Sequence, residues 1–200
     1  MTTTYSVSRE GSLMKILLGL TALLAVAVSA HAQAGPSARK AADVQIGGTF
    51  SVLNPDYGPS HWYGYGFYAD VDFRYHYGVE FAIRQQSGPE PILYERTYEL
   101  GGRYVYPLGD RFAPYVKGNL GRGVFNFSGS FPPGPPVQVA NLAYNIQAVG
   151  AGLDLHVLPG LNVRVIDYEY QFWDGFPPHG LNPQVFSFGV AYHFHGPMGK

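Results

Sequence analysis

The sequence lacks cysteine altogether, and it lacks an excess of charge of either sign. Its 200 residues include 13 lysines and arginines against 14 aspartates and glutamates. The missing cysteines exclude a disulfide scaffold, and the balanced charge argues against a polybasic surface for nucleic acid. We therefore expect neither a nucleic acid nor an acidic protein as a partner.

Helical signals are also nearly absent, whereas aromatic residues and glycine are abundant. The chain contains 16 tyrosines, 13 phenylalanines and 26 glycines, and only 14% of its residues are charged. Aromatic side chains suit the pleated surface of a β-sheet, and glycine relieves crowding where strands curve. The composition predicts an all-β protein.

Only one long apolar run is present, between Met14 and Ala32. Lys15 is followed by a largely apolar stretch and then by "AHA", which is the layout of a secretory signal peptide. The apolar stretch is shorter than the roughly 20 residues that a spanning helix needs. We predict a signal peptide over residues 1–32. Met14 offers an alternative start, which would leave residues 1–13 outside the protein.

After a short periplasmic lead, residues 33–43, the sequence divides into eight runs typical of β-strands. We predict strands over Val44–Leu53, Trp62–Tyr75, Gly78–Gln86, Leu93–Tyr106, Phe112–Phe127, Ala143–Val157, Leu161–Trp173 and Gln184–Phe194. Short breaks such as "PLGDR" and "LPG" alternate with longer ones such as "SGSFPPGPPVQVAN". Outer-membrane barrels alternate periplasmic turns with extracellular loops in this way. We expect an eight-stranded antiparallel up-and-down transmembrane β-barrel over residues 44–195, with a periplasmic tail over residues 196–200.

Alternation along these runs separates a charged face from an apolar face. In the second run Asp70 and Asp72 alternate with Ala69, Val71 and Phe73. Over all runs the charged face contains Asp70, Asp72, Arg74, Glu80, Arg84, Glu95, Glu99, Arg103, Lys117 and Asp154. Because buried charges are tolerated only when they are paired, we predict acid–base pairs on this face inside the barrel. The predicted pairs join Glu80, Glu95 and Glu99 to Arg74, Arg84, Arg103 or Lys117.

The seventh run interrupts this alternation. Val163 and Val165 share a parity with Asp167 and Glu169, so apolar and acidic residues would lie on one face. A β-bulge inserts one extra residue and reverses the parity beyond it. We therefore predict a bulge near Ile166.

Two interpretations of the charged face remain open at this point. A soluble exported sandwich or ligand-binding barrel would show the charges to water and bury the aromatic face as its core. A membrane barrel would do the reverse. Aromatic residues gather near the strand ends, as in the girdles at the two membrane interfaces, and this favours the membrane barrel. We assign to the girdles Trp62, Tyr65, Tyr75, Tyr104, Tyr106, Tyr170 and Trp173.

The last strand carries a family resemblance. In "FGVAYHF" the residues Gly189, Tyr192 and Phe194 match the carboxy-terminal assembly signal of outer-membrane proteins, although "HGPMGK" follows them. The segments "ELGGRYVYPLGDRFAPYVKGNLGRG" and "LNVRVIDYEYQFW" are similar to strands of the OmpA/OmpX-like eight-stranded outer-membrane barrels. The resemblance implies a place in the bacterial outer membrane, among lipid and lipopolysaccharide. It also implies insertion by the barrel assembly machinery, and we expect a monomer.

Two groups of residues raise the question of chemistry. Ser60 and His61 in the first long break, with Asp174 and His179 in the last, could supply the nucleophile and base of a lipid-modifying enzyme, but nothing in their spacing requires it. The histidines His156, His193 and His195 could meet at one rim. No cysteine, aspartate or glutamate accompanies them at metal-ligand spacing, so we expect no metal and no cofactor.

The size of the barrel limits its function further. Eight strands enclose an interior that side chains fill, so a wide pore is not expected. We predict a structural or surface-interaction role in the bacterial envelope, without catalysis. The alternatives are the lipid-modifying enzyme and the soluble exported ligand-binding barrel.

Overall fold

A computed structural model describes residues 42–56, 60–73, 76–90, 92–129 and 137–194. Several predictions concern residues outside these ranges: the signal peptide, nearly all of the lead, Arg74, Tyr75, His195 and the tail.

The described residues form eight antiparallel strands that close into a barrel. The strands are β1 Ala42–Asn54, β2 Trp62–Phe73, β3 Tyr77–Ser87, β4 Tyr94–Val105, β5 Phe112–Gly129, β6 Val137–Leu158, β7 Leu161–Phe172 and β8 Gln184–Phe194. Each strand pairs with its neighbours in sequence, and β1 pairs with β8, where Phe50 lies opposite Phe188. Closure leaves no row of unpaired backbone groups along a sheet edge. The predicted fold class is confirmed.

The connections divide between the two ends of the barrel. One end, called here the short-turn end, carries the connections over residues 74–76, 106–111 and 159–160. The other, the long-loop end, carries those over residues 55–61, 88–93, 130–136 and 173–183. Gly109 and Gly160 lie in short turns with φ angles of 67° and 84°, where glycine avoids the strain that a Cβ would cause.

The hairpin of β5 and β6 is longer than the sequence pattern predicts. β6 begins at Val137, whereas the prediction placed its start at Ala143. β5 continues to Gly129, which pairs with Val137 after a register shift between Phe127 and Ser128. The segment "VQV" extends the strand because β-branched residues favour extended backbone, even beside a proline-rich stretch.

The predicted bulge in β7 is confirmed. The pairing of β7 with both neighbouring strands is irregular between Arg164 and Asp167. Two successive residues, Val165 and Ile166, face outward, whereas Arg164 and Asp167 are buried. The extra residue therefore keeps the charges of β7 inside and its aliphatic side chains outside.

The outer wall is apolar. Leu120, Leu100 and Val190 are exposed by 69%, 58% and 57%, and similar residues surround them on every strand. A soluble barrel would bury this face and expose the charges, so the soluble alternative is wrong. Within the described residues, no helix is long and apolar enough to cross a bilayer.

Candidate functional site in the lumen

The lumen contains a dense set of charged side chains. The buried acids among the described residues are Asp70, Glu80, Glu95, Glu99, Asp154, Asp167 and Glu169, and the buried bases are Arg84, Arg103, Lys117 and Arg164. We call this set, apart from Glu95, the charge network. In the part of the chain that is described, seven buried carboxylates thus face four buried cationic groups.

Arg164 is the centre of the charge network toward the short-turn end. Its guanidinium lies 2.8 Å from Asp70, 2.9 Å from Glu80 and 3.0 Å from Asp154. The same guanidinium stacks over the ring of Tyr68, 3.7 Å from its centroid. Paired charges and a cation–π contact offset the cost of burying this cation.

The other three cations each join carboxylates from different strands. Lys117 Nζ lies 2.8 Å from both Glu80 and Asp167. Arg84 Nη2 lies 2.6 Å from Glu99 and 2.5 Å from Glu169. The bond from Arg84 to Glu99 joins the paired strands β3 and β4, whereas the other three bonds cross the lumen and connect strands that are not neighbours in the sheet.

Arg103 completes the network near the short-turn end. It pairs with Asp70 and lies 3.0 Å from Asp154. The neutral amide of Gln45 on β1 donates to the same two carboxylates, at 2.6 Å and 3.0 Å. Asn162 in turn donates to Gln45 Oε1 at 2.8 Å. Shared carboxylates of this kind hold β1, β2, β4, β6 and β7 to one another.

The long-loop end of the lumen is filled by apolar side chains instead. The buried cluster there, which we call the apolar cap, consists of Leu53, Trp62, Phe125, Ile146, Trp173, Leu181 and Val185. The loop between β7 and β8 folds against the cap, since Phe176 lies 5.5 Å from Phe125 and 5.1 Å from Tyr144 between ring centroids. The cap thus occupies the described part of the lumen at this end.

Trp173 connects the cap to the charge network. Its indole Nε1 donates to Gln171 Oε1 at 2.9 Å, and Gln171 Nε2 donates to Glu169 at 2.9 Å. The indole ring lies directly against Gly123, where a Cβ would come within 2.2 Å of it. Only glycine leaves room for the ring at this position.

The predicted lumen residues that the structure describes lie inside the barrel. Asp72 is half-buried beside Arg103. The others are buried, namely Asp70, Glu80, Arg84, Glu95, Glu99, Arg103, Lys117 and Asp154. Glu80 pairs with Lys117, and Glu99 pairs with Arg84. The predicted pairing of Glu95 with Arg84, Arg103 or Lys117 is wrong, because neither of its carboxylate oxygens has a hydrogen-bond partner in the described chain. Arg74 lies outside the described residues.

The girdle assignment is wrong for two residues. Trp62 and Trp173 are 2% and 0% exposed and lie in the apolar cap, not on the outer wall. Their positions follow from parity, since Trp62 alternates in step with Asp70, and Trp173 in step with Glu169. Of the remaining assignments, Tyr65, Tyr104 and Tyr106 are exposed and Tyr170 is partly exposed.

Sequence reasoning missed the charges that β7 supplies. Arg164, Asp167 and Glu169 are central to the charge network, yet the parity conflict in β7 kept them out of the predicted set. The predicted bulge was the signal that could have placed them. Once one residue is skipped at Val165, all three charges fall on the lumen side.

The candidate catalytic and metal residues are not assembled into a site. Ser60, His61, Asp174 and His179 are exposed in two loops, and no hydrogen bond joins any two of them. Near the short-turn end, His193 pairs with Asp43, and its ring lies 5.8 Å from that of His156. Among the described residues, no three histidine or acidic side chains converge as they would around a metal ion.

The outer wall carries two arginines near the long-loop end. Arg96 Nε donates to Gln85 Oε1 at 2.8 Å, and the guanidinium lies 5.2 Å from the Tyr94 ring. Arg122 on the adjacent strand donates to Asn145 at 2.8 Å. We call Arg96 and Arg122 the outer basic pair.

The carboxy-terminal strand presents its aromatic residues outward. Tyr192 and Phe194 are 60% and 41% exposed, and their rings lie 4.9 Å apart. Gly189 lies on the opposite face, where a Cβ would meet the carbonyl of Gly48. These three residues are the ones that resemble an assembly signal.

Comparisons with known proteins agree with this architecture. The sequence matches the family model described as "Outer membrane protein beta-barrel domain" over residues 19–194. No curated protein shows significant similarity to the sequence.

Several solved structures resemble the barrel. Ail, the attachment invasion locus protein of Yersinia pestis solved with the heparin analogue sucrose octasulfate, is 19% identical with a TM-score of 0.51, covering 76% of this chain and 97% of that one. Neisserial surface protein A is 14% identical with a TM-score of 0.55, and the match covers 77% of this chain and 97% of that one. The N-terminal barrel of Pseudomonas aeruginosa OprF is 15% identical with a TM-score of 0.55, and the match covers 76% of this chain and 97% of that one. At these identities the likeness shows the fold.

Proposed function

This chain belongs to the outer membrane protein beta-barrel domain family, and from that membership we propose that it is a plugged barrel with a structural or surface-interaction role in the bacterial outer membrane. The filled lumen carries the proposal, because buried charged side chains and the apolar cap occupy the described interior of the barrel. In the orientation typical of such barrels, the short-turn end faces the periplasm. The predicted signal peptide and the carboxy-terminal strand fit export followed by insertion through the assembly machinery.

The absence of a wide pore is tested by solute uptake into liposomes that contain the refolded protein. We expect no swelling in isotonic solutions of small sugars, since side chains fill the interior of an eight-stranded barrel. Liposomes with a general porin serve as the positive control. Sugar uptake at the rate of that porin would contradict the proposal.

A surface role is supported by the outer basic pair. Arg96 and Arg122 lie on the outer wall near the long-loop end, which faces the outer leaflet in the proposed orientation. Arginine binds phosphate through two parallel hydrogen bonds. Arg122 is exposed, whereas Arg96 is half-buried and donates to Gln85. We infer that this pair binds the phosphate groups of lipopolysaccharide. The solved complex of Ail shows that this barrel architecture can bind a sulfated sugar in that protein.

The lipopolysaccharide contact is tested by unfolding in two kinds of bilayer. We expect lipopolysaccharide to raise the unfolding midpoint of the wild type relative to phosphatidylcholine alone. The double variant Arg96→Gln/Arg122→Gln should lose most of that increase. Arg111→Gln is the matched control, because Arg111 is exposed like Arg122 but lies at the short-turn end. An equal increase in the double variant and the control would refute the assignment.

A further inference from the structure

A buried glutamate between the apolar cap and the charge network has no partner. Glu95 on β4 is 0% exposed, and neither of its carboxylate oxygens forms a hydrogen bond or ion pair within the described chain. Gln86 lies directly opposite on β3 and is 1% exposed, and both polar atoms of its amide are likewise without partners. Thr97, on the same face of β4, is 1% exposed and adds a hydroxyl to this buried polar group. We call these three residues the Glu95 site.

The apolar cap shields this site from the long-loop end. Phe125, which is 1% exposed, lies opposite Glu95 on β5. Trp173 packs against Gly123, and Gly123 lies opposite Thr97. The polar atoms of the site are therefore enclosed by aromatic rings on the side where water would enter.

The charge network closes the opposite side and cannot neutralise the site. Arg84 lies opposite Thr97 and is the nearest cation by register, but its Nη2 is bonded to Glu99 at 2.6 Å and Glu169 at 2.5 Å. The six other buried acids each pair with at least one of the four buried cations. Glu95 is the buried acid that this arrangement leaves over in the described part of the lumen.

An uncompensated buried carboxylate costs several kcal/mol, and a buried amide without partners adds to that cost. Gln86 and Glu95 could bond to each other across the β3–β4 pair, yet they do not. Buried polar atoms left without hydrogen bonds on facing strands call for a species other than the described side chains as their partner. That species must offer positive charge to the carboxylate and accept neutral oxygens as further ligands.

We propose that the Glu95 site binds a small monovalent cation, of the sodium type, through the carboxylate of Glu95, the amide oxygen of Gln86 and the hydroxyl of Thr97. All of these ligand atoms are oxygens, which suit hard cations. The set contains a single carboxylate, whereas divalent calcium sites are built from more oxygen ligands and usually from several carboxylates. The bound cation balances the carboxylate that the charge network leaves over.

The chain offers an internal probe for this test. Its two tryptophans, Trp62 and Trp173, both belong to the apolar cap that covers the site. Purified full-length protein, refolded in a non-ionic detergent, is titrated with sodium chloride against N-methylglucamine chloride at constant ionic strength. We expect a saturable change in tryptophan fluorescence and a higher unfolding midpoint in sodium, because a ligand that binds only the folded state stabilises it.

Three variants separate the site from general salt effects. Glu95→Gln should abolish the sodium response, and Thr97→Val, which keeps the shape but removes one ligand oxygen, should weaken the apparent affinity roughly tenfold. Glu90→Gln is the matched control, since Glu90 is exposed in the neighbouring loop and its replacement should leave the response unchanged. Thr97→Val keeps the test decisive if Glu95→Gln does not fold.

Two results would overturn the proposal. The first is a wild type whose fluorescence and midpoint are indifferent to sodium, or a Glu95→Gln variant that responds like the wild type. The second is an infrared difference spectrum between wild type and Glu95→Gln that shows a protonated carboxylic acid in saturating sodium. In either case the plugged barrel proposed above would stand, because sugar uptake into liposomes tests it separately.

Discussion

Polar side chains fill the lumen toward the short-turn end, whereas apolar side chains fill it toward the long-loop end. In the charge network each cation is bonded to carboxylates on other strands, as Arg164 is to Asp70, Glu80 and Asp154. In the apolar cap the contacts are aromatic and aliphatic, with Trp173 as the largest fully buried side chain. Both regions fill the lumen with buried side chains, but different interactions hold those side chains in place.

The difference predicts how each region responds to substitution. A buried charge depends on specific partners, so removing one cation weakens the compensation of several carboxylates at once. Apolar packing depends on volume and shape, so a substitution of similar size is tolerated. The predictions below exploit this contrast, and all can be measured by denaturant unfolding of the refolded protein in detergent or vesicles.

The largest effect is expected from Arg164→Met. Methionine keeps much of the side-chain volume but removes the charge that three carboxylates share, which should lower the free energy of unfolding by about 5 kcal/mol. Arg122→Met is the control, because Arg122 is exposed on the outer wall and bonds only to Asn145 in the described chain. This control should change the free energy of unfolding by less than about 0.5 kcal/mol. Similar losses in both variants would mean that the charge network does not stabilise the barrel.

Trp173→Ala should remove much of the apolar cap. Loss of a fully buried tryptophan costs about 4 kcal/mol, since a cavity remains where the ring was. Trp173→Phe is the control and should cost less than half of that, because it keeps an aromatic ring while losing the bond to Gln171. Equal losses in the two variants would show that the hydrogen bond, and not the packing, holds the cap.

Gly123→Ala tests the contact between the cap and the wall. The added Cβ would meet the Trp173 ring at 2.2 Å, so the ring must move, and we expect a loss of about 2 kcal/mol. Gly118→Ala on the same strand has no atom within 4 Å of the added Cβ and should be nearly neutral. An unchanged free energy of unfolding in Gly123→Ala would mean that the Trp173 ring does not lie against Gly123.

The smallest effect is expected at Ile92, in the loop between β3 and β4. Ile92 has a φ angle of 63°, a conformation that a β-branched residue adopts only with strain. Ile92→Gly should therefore stabilise the protein by about 1 kcal/mol, whereas Ile92→Val should not, because valine keeps the branched Cβ. Destabilisation by glycine would indicate that the packing of Ile92 outweighs its backbone strain.

Much of the barrel could be predicted from alternation alone. The period of two placed Glu80 and Lys117 on one face, and both are buried in the lumen as a pair. The same rule, applied to Trp62 and Trp173, would have placed them inside. Their assignment to the girdles rested on residue type and position near strand ends, which does not distinguish the two faces of a strand.

The partners across the lumen could not be predicted, because alternation gives a face but not a neighbour. Arg164 and Glu80 are on β7 and β3, which do not pair in the sheet, and they meet only because the barrel is narrow. Glu95 shows the limit most clearly. Its face is as predicted, yet it lies opposite Gln86 and Phe125, and its carboxylate forms no hydrogen bond to a base among the described residues.

The absence of cysteine allows the central claim, a closed lumen, to be tested with single thiols. Ser187→Cys places a thiol in the lumen, where Ser187 is 1% exposed, and Ser60→Cys places one in an exposed loop at the long-loop end. Labelling of the folded protein with a small, charged, water-soluble thiol reagent is the measurement. A plugged barrel predicts rapid labelling at position 60 and labelling at position 187 only after unfolding. Equal labelling rates at the two positions in the folded protein would contradict it.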